Sequence, residues 1–205
     1  MRRVIVLATH NRHKRDELLA ILRAELPDEI ELKTLDDIEP PIGEIPETGA
    51  TLEENASIKA RTVYAQTKLP TIADDTGLEV AALNGEPGVY SARYAGEGAT
   101  YEDNVRKLLE ELKGNPDRSA KFSTVITYID ESGAELYFHG EVDGVITASP
   151  RGSLGFGYDP VFAPSEDLKG RTFAEMSEEE KNAISHRGRA LRKFIAHLRS
   201  ASFKY

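Results

Sequence analysis

With 205 residues, 40% of them apolar, the chain is long enough for one sizeable domain or two closely joined lobes around a packed core. A formal charge of −9 argues against a general nucleic-acid binder, yet a local cluster of Lys and Arg, or a divalent metal, would still admit a small anionic ligand. The lack of cysteine removes disulfides, thiolate nucleophiles and zinc–thiolate sites, and the apolar runs are too short for a signal peptide or a membrane span, so a soluble, cytoplasmic protein is expected.

The opening RRVIVLA, rich in β-branched residues, predicts a buried strand from Arg2. HKRDELLAILRAEL follows as a helix, with Leu18, Leu19, Leu22 and Leu26 at helical spacing. IELKTL is a second short strand, and residues 36–49, with three prolines and two glycines, form a long loop. TLEENASIKARTVYAQT reads as a helix opened by a Thr51/Glu54 capping box, with Leu52, Ala56, Ala60 and Val63 on one face. LPTIADD is a third strand, ending in two acids before a Thr-Gly turn.

The second half has a different texture. TYEDNVRKLLEELKG is a capped amphipathic helix stopped by Gly114, and KFSTVITYID-ESG-AELYFHGEV is a β-hairpin, so a hairpin-rich antiparallel lobe is expected over roughly residues 118–150. The tail SEEEKNAISHRGRALRKFIAHL begins with a Ser177/Glu180 capping box and ends on an apolar face of Leu191, Phe194, Ile195 and Leu198.

Several constellations carry chemistry. In ATHNRHK a strand delivers Thr9 and Asn11 to the start of a helix, where N–H groups and the helix dipole suit a phosphate beside Lys14. Asn11 acting as an ordinary helix cap explains the same residues. His10 and His13 are spaced for a metal but read as solvated surface on a loop. Glu47 lies in the loop just before the helix carrying Glu54, Lys59 and Arg61; Glu54 suits the helix dipole, and Lys59 and Arg61 are by default solvent-facing. Adjacent Asp74 and Asp75 at the end of an apolar strand repel each other, which a divalent cation or nearby Lys and Arg would relieve. A structural turn is the competing reading. GFGYDPVF sets Phe156, Tyr158 and Asp159 among glycines, suited either to stacking on a base or to a turn feeding core aromatics. Lys181, His186 and Arg187 collect near a helix start as a basic patch.

Six stretches, LATHNRHKRDEL, ETGATLEENASIKAR, IADDTGLEV, GVYSARYAGE, GFGYDPVF and EKNAISHRG, occur in the order found in the inosine/xanthosine triphosphate pyrophosphatase family, which the chain resembles over almost its whole length. The resemblance implies a single two-lobed α/β domain over residues 1–205, with an elongated, highly twisted mixed sheet, a cleft between the lobes and usually a homodimer. It implies Mg²⁺-dependent hydrolysis of ITP, dITP and XTP to the monophosphate and pyrophosphate. Carried over by motif, the loop of Thr9, His10, Asn11, Arg12, His13 and Lys14 would hold the triphosphate, chiefly through Asn11 and Lys14. Glu47 and Asp75 would be the magnesium ligands, Asp75 the proton acceptor for the attacking water, Asp74 an auxiliary acid and Lys59 a phosphate or carboxylate partner. Thr76 would contact substrate, and Phe156, Gly157, Tyr158, Asp159, Lys181, His186 and Arg187 would surround the base, His186 and Arg187 as donors to O6. The family's first loop often has glycine before its lysine; here His13 stands there after Arg12, which adds charge where the backbone would approach a phosphate.

Two rival readings differ in what they require. A nucleotide-binding regulator has no need for Asp74, Asp75 and Glu47 together, and a pyrophosphatase for standard nucleotides needs another base pocket. The expected partner is a purine nucleoside triphosphate, with no nucleic-acid polymer and no membrane.

Overall fold

The computed structural model of the protein describes residues 3–26 and 30–202. The chain is of mixed α/β class, as expected, and divides into two compact units: residues 1–75, 124–140 and 187–205 in the first, residues 76–123 and 141–186 in the second. The expected hairpin is shared between the units, residues 124–140 falling in the first.

In the first unit, strand β1 (Arg3–Leu7) leads into helix α1 (Arg12–Glu25), then strand β2 (Ile30–Thr34) and helix α2 (Leu52–Thr67). Arg2, the expected first residue of β1, lies outside the described residues. Strand β3 (Thr71–Val80) pairs parallel with β1, Val6 opposite Thr71, and β2 pairs parallel with β1 on its other side. Parallel strands buried on both faces explain the near-continuous apolar runs. One face packs Ile5, Leu7 and Ile72 against Leu18, Ile21 and Leu22 of α1 and against Leu191, Phe194, Ile195 and Leu198. The other packs Val6, Ala8 and Ala73 against Ala60 and Val63 of α2.

The acids do not end β3. The strand continues through Thr76 and Gly77 to Val80, because the next residues find partners: strand β4 (Pro87–Gly88) pairs antiparallel with it, Leu78 opposite Gly88, and Leu78 N–H donates to Ser91 Oγ at 2.9 Å. Local turn chemistry loses to sheet pairing here.

Helix α3 (Tyr101–Glu111) of the second unit buries Val105 and Leu108, and Thr100 and Asp103 close a capping box. Strands β5 (Ser119–Ile129) and β6 (Glu135–Ile146) are the expected hairpin, longer than the pattern indicated, and strand β7 (Phe162–Pro164) pairs antiparallel with the end of β6. The hydrogen-bonded strand order is β2-β1-β3-β5-β6-β7, with β4 on β3. The tail forms two helices. Helix α4 (Glu178–Ile184), opened by the expected Ser177/Glu180 box, stops at buried Ser185, whose extended backbone (φ −68°, ψ 156°) separates it from helix α5 (His186–Ser202).

Candidate active site

Asp74 and Asp75 are both buried, 0% and 4% exposed, but they do not lie side by side. Successive strand residues face opposite sides of a sheet. Asp74 follows Ile72 to the side of α1 and α5, and Asp75 follows Ala73 to the side of α2. The repulsion argued from their adjacency is therefore reduced by direction, and it is offset by cations: Arg187 serves Asp74, Lys59 lies against Asp75, and Lys14 is shared by both.

On the first face, Asp74 Oδ2 accepts from Nε and Nη2 of Arg187 at 3.3 Å each, and Lys14 Nζ lies 3.3 Å away. Nη1 of Arg187 donates to Oε2 of Glu17, a second buried carboxylate on α1. Burial alone would raise Asp74, but Lys14, Arg187 and Lys59 overcome it and hold the carboxyl well below the usual range. Glu17 and Asp74 in turn hold the buried Arg187 guanidinium above its ordinary value against the opposing effect of burial.

On the second face, Asn55, Lys59 and Val63 form one stripe of α2 at intervals of four, all buried. Lys59, by default a solvent-facing residue, is only 8% exposed; its Nζ donates to Glu47 Oε1 at 2.6 Å and to Asp75 Oδ1 at 3.4 Å. Small residues Ala56 and Ala60 beside it, both 0% exposed, let the helix approach the sheet closely. Burial lowers the Lys59 ammonium, and Asp75, Asp74 and Glu47 more than restore it. Burial raises Glu47, and Lys59 and Lys14 bring it down below its ordinary value. Asp75 goes the other way: burial, with Glu47 and Asp74 adding, wins over Lys59 and Lys14 and pushes its carboxyl up. Neighbouring carboxyls are thus pushed in opposite directions, Glu47 down and Asp75 up.

Lys14 reaches both faces, 3.3 Å from Asp74 and 3.8 Å from Asp75 Oδ1. It does so from the first turn of α1, where Asn11 is the N-cap and its Oδ1 accepts from Lys14 N at 3.1 Å. Asn11 N–H donates to Thr9 Oγ1 at 3.2 Å, and His10 Nε2 lies 3.0 Å from the Ile42 carbonyl. Arg12 and His13 are exposed. The cap reading of Asn11 thus holds, and it does not compete with a phosphate reading, since the helix N-terminus it orders is the one Lys14 flanks.

In Thr51 the expected helix cap is present, accepting from Glu54 N at 3.1 Å, but the Glu54 carboxylate returns to Ala50 N at 2.6 Å rather than to Thr51. Arg61 is exposed and paired with Glu135 at 2.6 Å. Thr76 is half-buried on β3.

The second unit holds a separate cluster. Lys181 Nζ donates to Asp159 Oδ2 at 2.7 Å, both residues buried, and sits 4.9 Å from the Phe156 ring centroid. The same Oδ2 accepts from Phe156 N at 2.8 Å, which closes the GFGYD turn. A cavity of about 540 Å³ beside Gly157 is lined by Tyr101, Val105 and Leu109 of α3 and by Ala148, Pro150 and Pro160. His186 stacks on Phe122, centroids 4.5 Å apart, and is 3% exposed.

Two of the expected base contacts are buried and engaged within the protein. Arg187 is 1% exposed and directs its guanidinium at Asp74 and Glu17. Tyr158 is a core residue at 5% exposure, its hydroxyl donating to the Ser91 carbonyl at 2.9 Å, so the half-buried aromatic of that turn is Phe156. Glu17 and Asn55 belong to the site and were not singled out by sequence. The signal for both was a polar residue on an apolar helix stripe, Glu17 with Ile21 and Asn55 with Val63.

Among the described residues no group of three or more His, Asp or Glu is arranged to hold a metal ion. Glu47 and Asp75 nevertheless converge on one cation, the Lys59 ammonium. Two carboxylates at one cationic point fit Mg²⁺, which takes one or two protein carboxylates and completes its shell with waters and phosphates. No described helix is long and apolar enough to cross a membrane.

The chain is similar to known proteins over nearly its whole length. Residues 5–197 match the model of the Ham1 family. A protein of Desulfotalea psychrophila named dITP/XTP pyrophosphatase is 51% identical over 188 residues, 92% of this chain and 82% of its own. One of Geobacter sulfurreducens, of the same name, is 50% identical over 196 residues, 95% and 96% of the two chains. A solved HAM1 protein from Coxiella burnetii superposes with a TM-score of 0.86 at 44% identity, covering 97% of this chain and 99% of that one. A likeness of that extent in both sequence and fold shows that the chain belongs to the Ham1 family.

Proposed function

We propose that the protein hydrolyses non-standard purine nucleoside triphosphates, dITP, ITP and XTP, to the monophosphate and pyrophosphate. The observation that carries the reading is the approach of Lys14 from the start of α1 and Lys59 from α2 to three carboxylates, Asp74 and Asp75 of β3 and Glu47 of the loop before α2. It is joined to the dITP/XTP pyrophosphatase name of relatives about half identical over nearly the whole chain.

On this reading Lys14 and the N–H groups at the start of α1 bind the triphosphate, assisted by Thr9, His10, Arg12 and His13 around the Asn11 cap. Asp75, raised by burial, takes a proton from water as the water oxygen bonds to the α-phosphorus. The bond from the α-phosphorus to the α,β-bridging oxygen breaks, and pyrophosphate leaves with that electron pair. Lys14 and Lys59 offset the negative charge that develops. Asp74, kept ionised by Arg187 and Lys14, fixes Lys14. Glu47 and Asp75 would hold Mg²⁺, which when bound neutralises phosphate charge and orients the phosphate oxygens. Thr76 and the cluster of Phe156, Gly157, Asp159, Lys181 and His186 are assigned to the nucleoside, the half-buried Phe156 ring as the stacking face. A homodimer in the cytoplasm belongs to the same proposal.

The test is incubation with Mg²⁺ and ITP, dITP, XTP, ATP, GTP or dTTP, with pyrophosphate and orthophosphate measured separately. Pyrophosphate from ITP, dITP and XTP, lost when Mg²⁺ is withheld, is expected. Orthophosphate as the direct product, or ATP turned over as fast as ITP, would overturn the assignment.

A further inference from the structure

We infer that Asn55 is a positioning residue that locks Asp75 and the loop bearing Glu47 into one frame. Asn55 is fully buried on the inward stripe of α2, one turn before Lys59. Its carboxamide has one accepting and one donating end, and both are used. Oδ1 accepts from Gly49 N at 2.7 Å, and Nδ2 donates to Asp75 Oδ2 at 3.2 Å. The Gly49 N–H can only donate, so it fixes the amide with its NH₂ group toward Asp75. The other oxygen of that carboxylate, Oδ1, faces Lys59 at 3.4 Å and Lys14 at 3.8 Å. Asp75 is therefore held at both oxygens, and the plane of its carboxylate is set.

The loop is held from the same stripe. Glu47 meets Lys59 at 2.6 Å and Gly49 meets Asn55 at 2.7 Å, two anchors four residues apart on α2. Only glycine permits the second. A Cβ at position 49 would stand 2.6 Å from Glu54 Cβ and 2.8 Å from Asn55 Oδ1, inside any real contact. An asparagine inside a helix is also less favourable than alanine, so the position is not explained by helix formation. What Asn55 supplies is a neutral group that accepts on one side and donates on the other. Aspartate can accept from Gly49 but cannot donate to Asp75, and alanine does neither.

That difference separates a mere loop tether from a residue that orients Asp75. The inference rests on the proposed function only for its kinetic part. Asn55→Asp and Asn55→Ala are to be compared with the parent by amide hydrogen exchange at Gly49, by thermal melting and by steady-state pyrophosphate release from ITP. Asn55→Asp is expected to keep the slow exchange of the Gly49 amide while kcat falls about 10- to 100-fold and KM changes less, as for groups that orient catalytic ligands. Asn55→Ala is expected to lose both the protection and the turnover. The exchanged pair Asn55→Asp/Asp75→Asn restores one donor and one acceptor. It is expected to recover the melting temperature lost in Asn55→Asp, without turnover. The inference is overturned if Asn55→Asp turns over at the parental kcat, or if the exchanged pair melts no higher than Asn55→Asp. Should the parent itself release no pyrophosphate, the proposed function fails, and Gly49 exchange and the melting of the exchanged pair still decide whether Asn55 bridges the loop and Asp75.

Discussion

The guanidinium of Arg187 holds Asp74 through two nitrogens, Nε and Nη2, each 3.3 Å from the same carboxylate oxygen. With Glu17 on Nη1, one buried cation from α5 serves two buried anions, one on α1 and one on β3. Such a group is costly to bury and costlier to break, because the partners left behind cannot reach water. Arg187→Met is expected to destabilise the protein by about 3–5 kcal/mol, read as a lower urea midpoint with an unchanged slope. A loss of turnover with full stability would instead place Arg187 against the substrate.

That triad also shows where sequence reading stops. Strand β1, helices α1 and α2 and the β5–β6 hairpin were legible because hydrophobic period, caps and turn residues are local signals. The continuation of β3 past Asp75 was not, since the Thr-Gly pair reads as a turn until Ser91 and β4 supply partners. The tail was legible in part: the Ser177/Glu180 box and a helix start near His186 are local signals, whereas the stop of α4 at Ser185 was not read. The partner of Glu17 lies 170 positions along the chain, and no spacing rule reaches that far. For Lys59 the default for a helix lysine is water, and only the resemblance points to a phosphate or carboxylate partner, which the contacts with Glu47 and Asp75 match. The carboxylates of Asp75, Asp74 and Glu47 make its inward direction favourable. The resemblance brought Lys14, Glu47, Lys59 and Asp75 onto one list, and the geometry adds that the two aspartates face opposite sides of β3.

Lys59 is the shared cation of Glu47 and Asp75 and is almost wholly buried. Lys59→Met keeps the length of the side chain and removes the charge, leaving two acids to repel each other. A fall in kcat of about 10²–10³ is expected, the size found when one preorganised charge-stabilising donor is lost. Lys59→Arg is not expected to rescue it, because the bulkier guanidinium, with its donors in a fixed planar fork, does not place a compact charge where the Lys59 ammonium stands. Pyrophosphate release at saturating ITP is the measurement, and parental kcat in Lys59→Met would remove Lys59 from the mechanism.

Asp75→Asn tests the proton acceptor directly. The amide is close to isosteric, so nucleotide binding, followed by equilibrium dialysis of ITP, is expected to persist while turnover disappears. Near-normal turnover would refute the role assigned to Asp75.

In the second unit, Lys181 and Asp159 form a buried pair at 2.7 Å, and Asp159 also ties the Phe156 amide at 2.8 Å. Lys181→Met leaves Asp159 buried without its cation and takes a positive charge away from the Phe156 ring. The expected result is a KM for ITP raised about tenfold or more, with a smaller change in kcat, because the pair orders a binding turn rather than the reacting atoms. A fall in kcat at constant KM would move Lys181 to the reacting end of the nucleotide.

Tyr128 provides a pH test away from the site. Its ring lies 5.0 Å from that of Phe194 in the first unit's core, and burial, with Glu131 adding and Arg3 opposing, pushes its phenol up to about 12 from an ordinary 10.0. The raised value means that the folded state favours the protonated phenol. Its contribution is fully present below about pH 10, where the unfolded chain also keeps the proton, and is lost as pH rises from 10 to 12, because the unfolded chain releases its proton first. At pH 11 the loss amounts to about 1.4 kcal/mol. Tyr128→Phe has no proton to release, so its stability relative to the parent is expected to improve by about that amount between pH 9 and pH 11 in urea unfolding. The other buried tyrosines, Tyr94 and Tyr158, titrate in both proteins and cancel from the comparison. A difference between parent and Tyr128→Phe that is flat from pH 9 to pH 11 would show that Tyr128 titrates as an exposed phenol, in conflict with its 1% exposure.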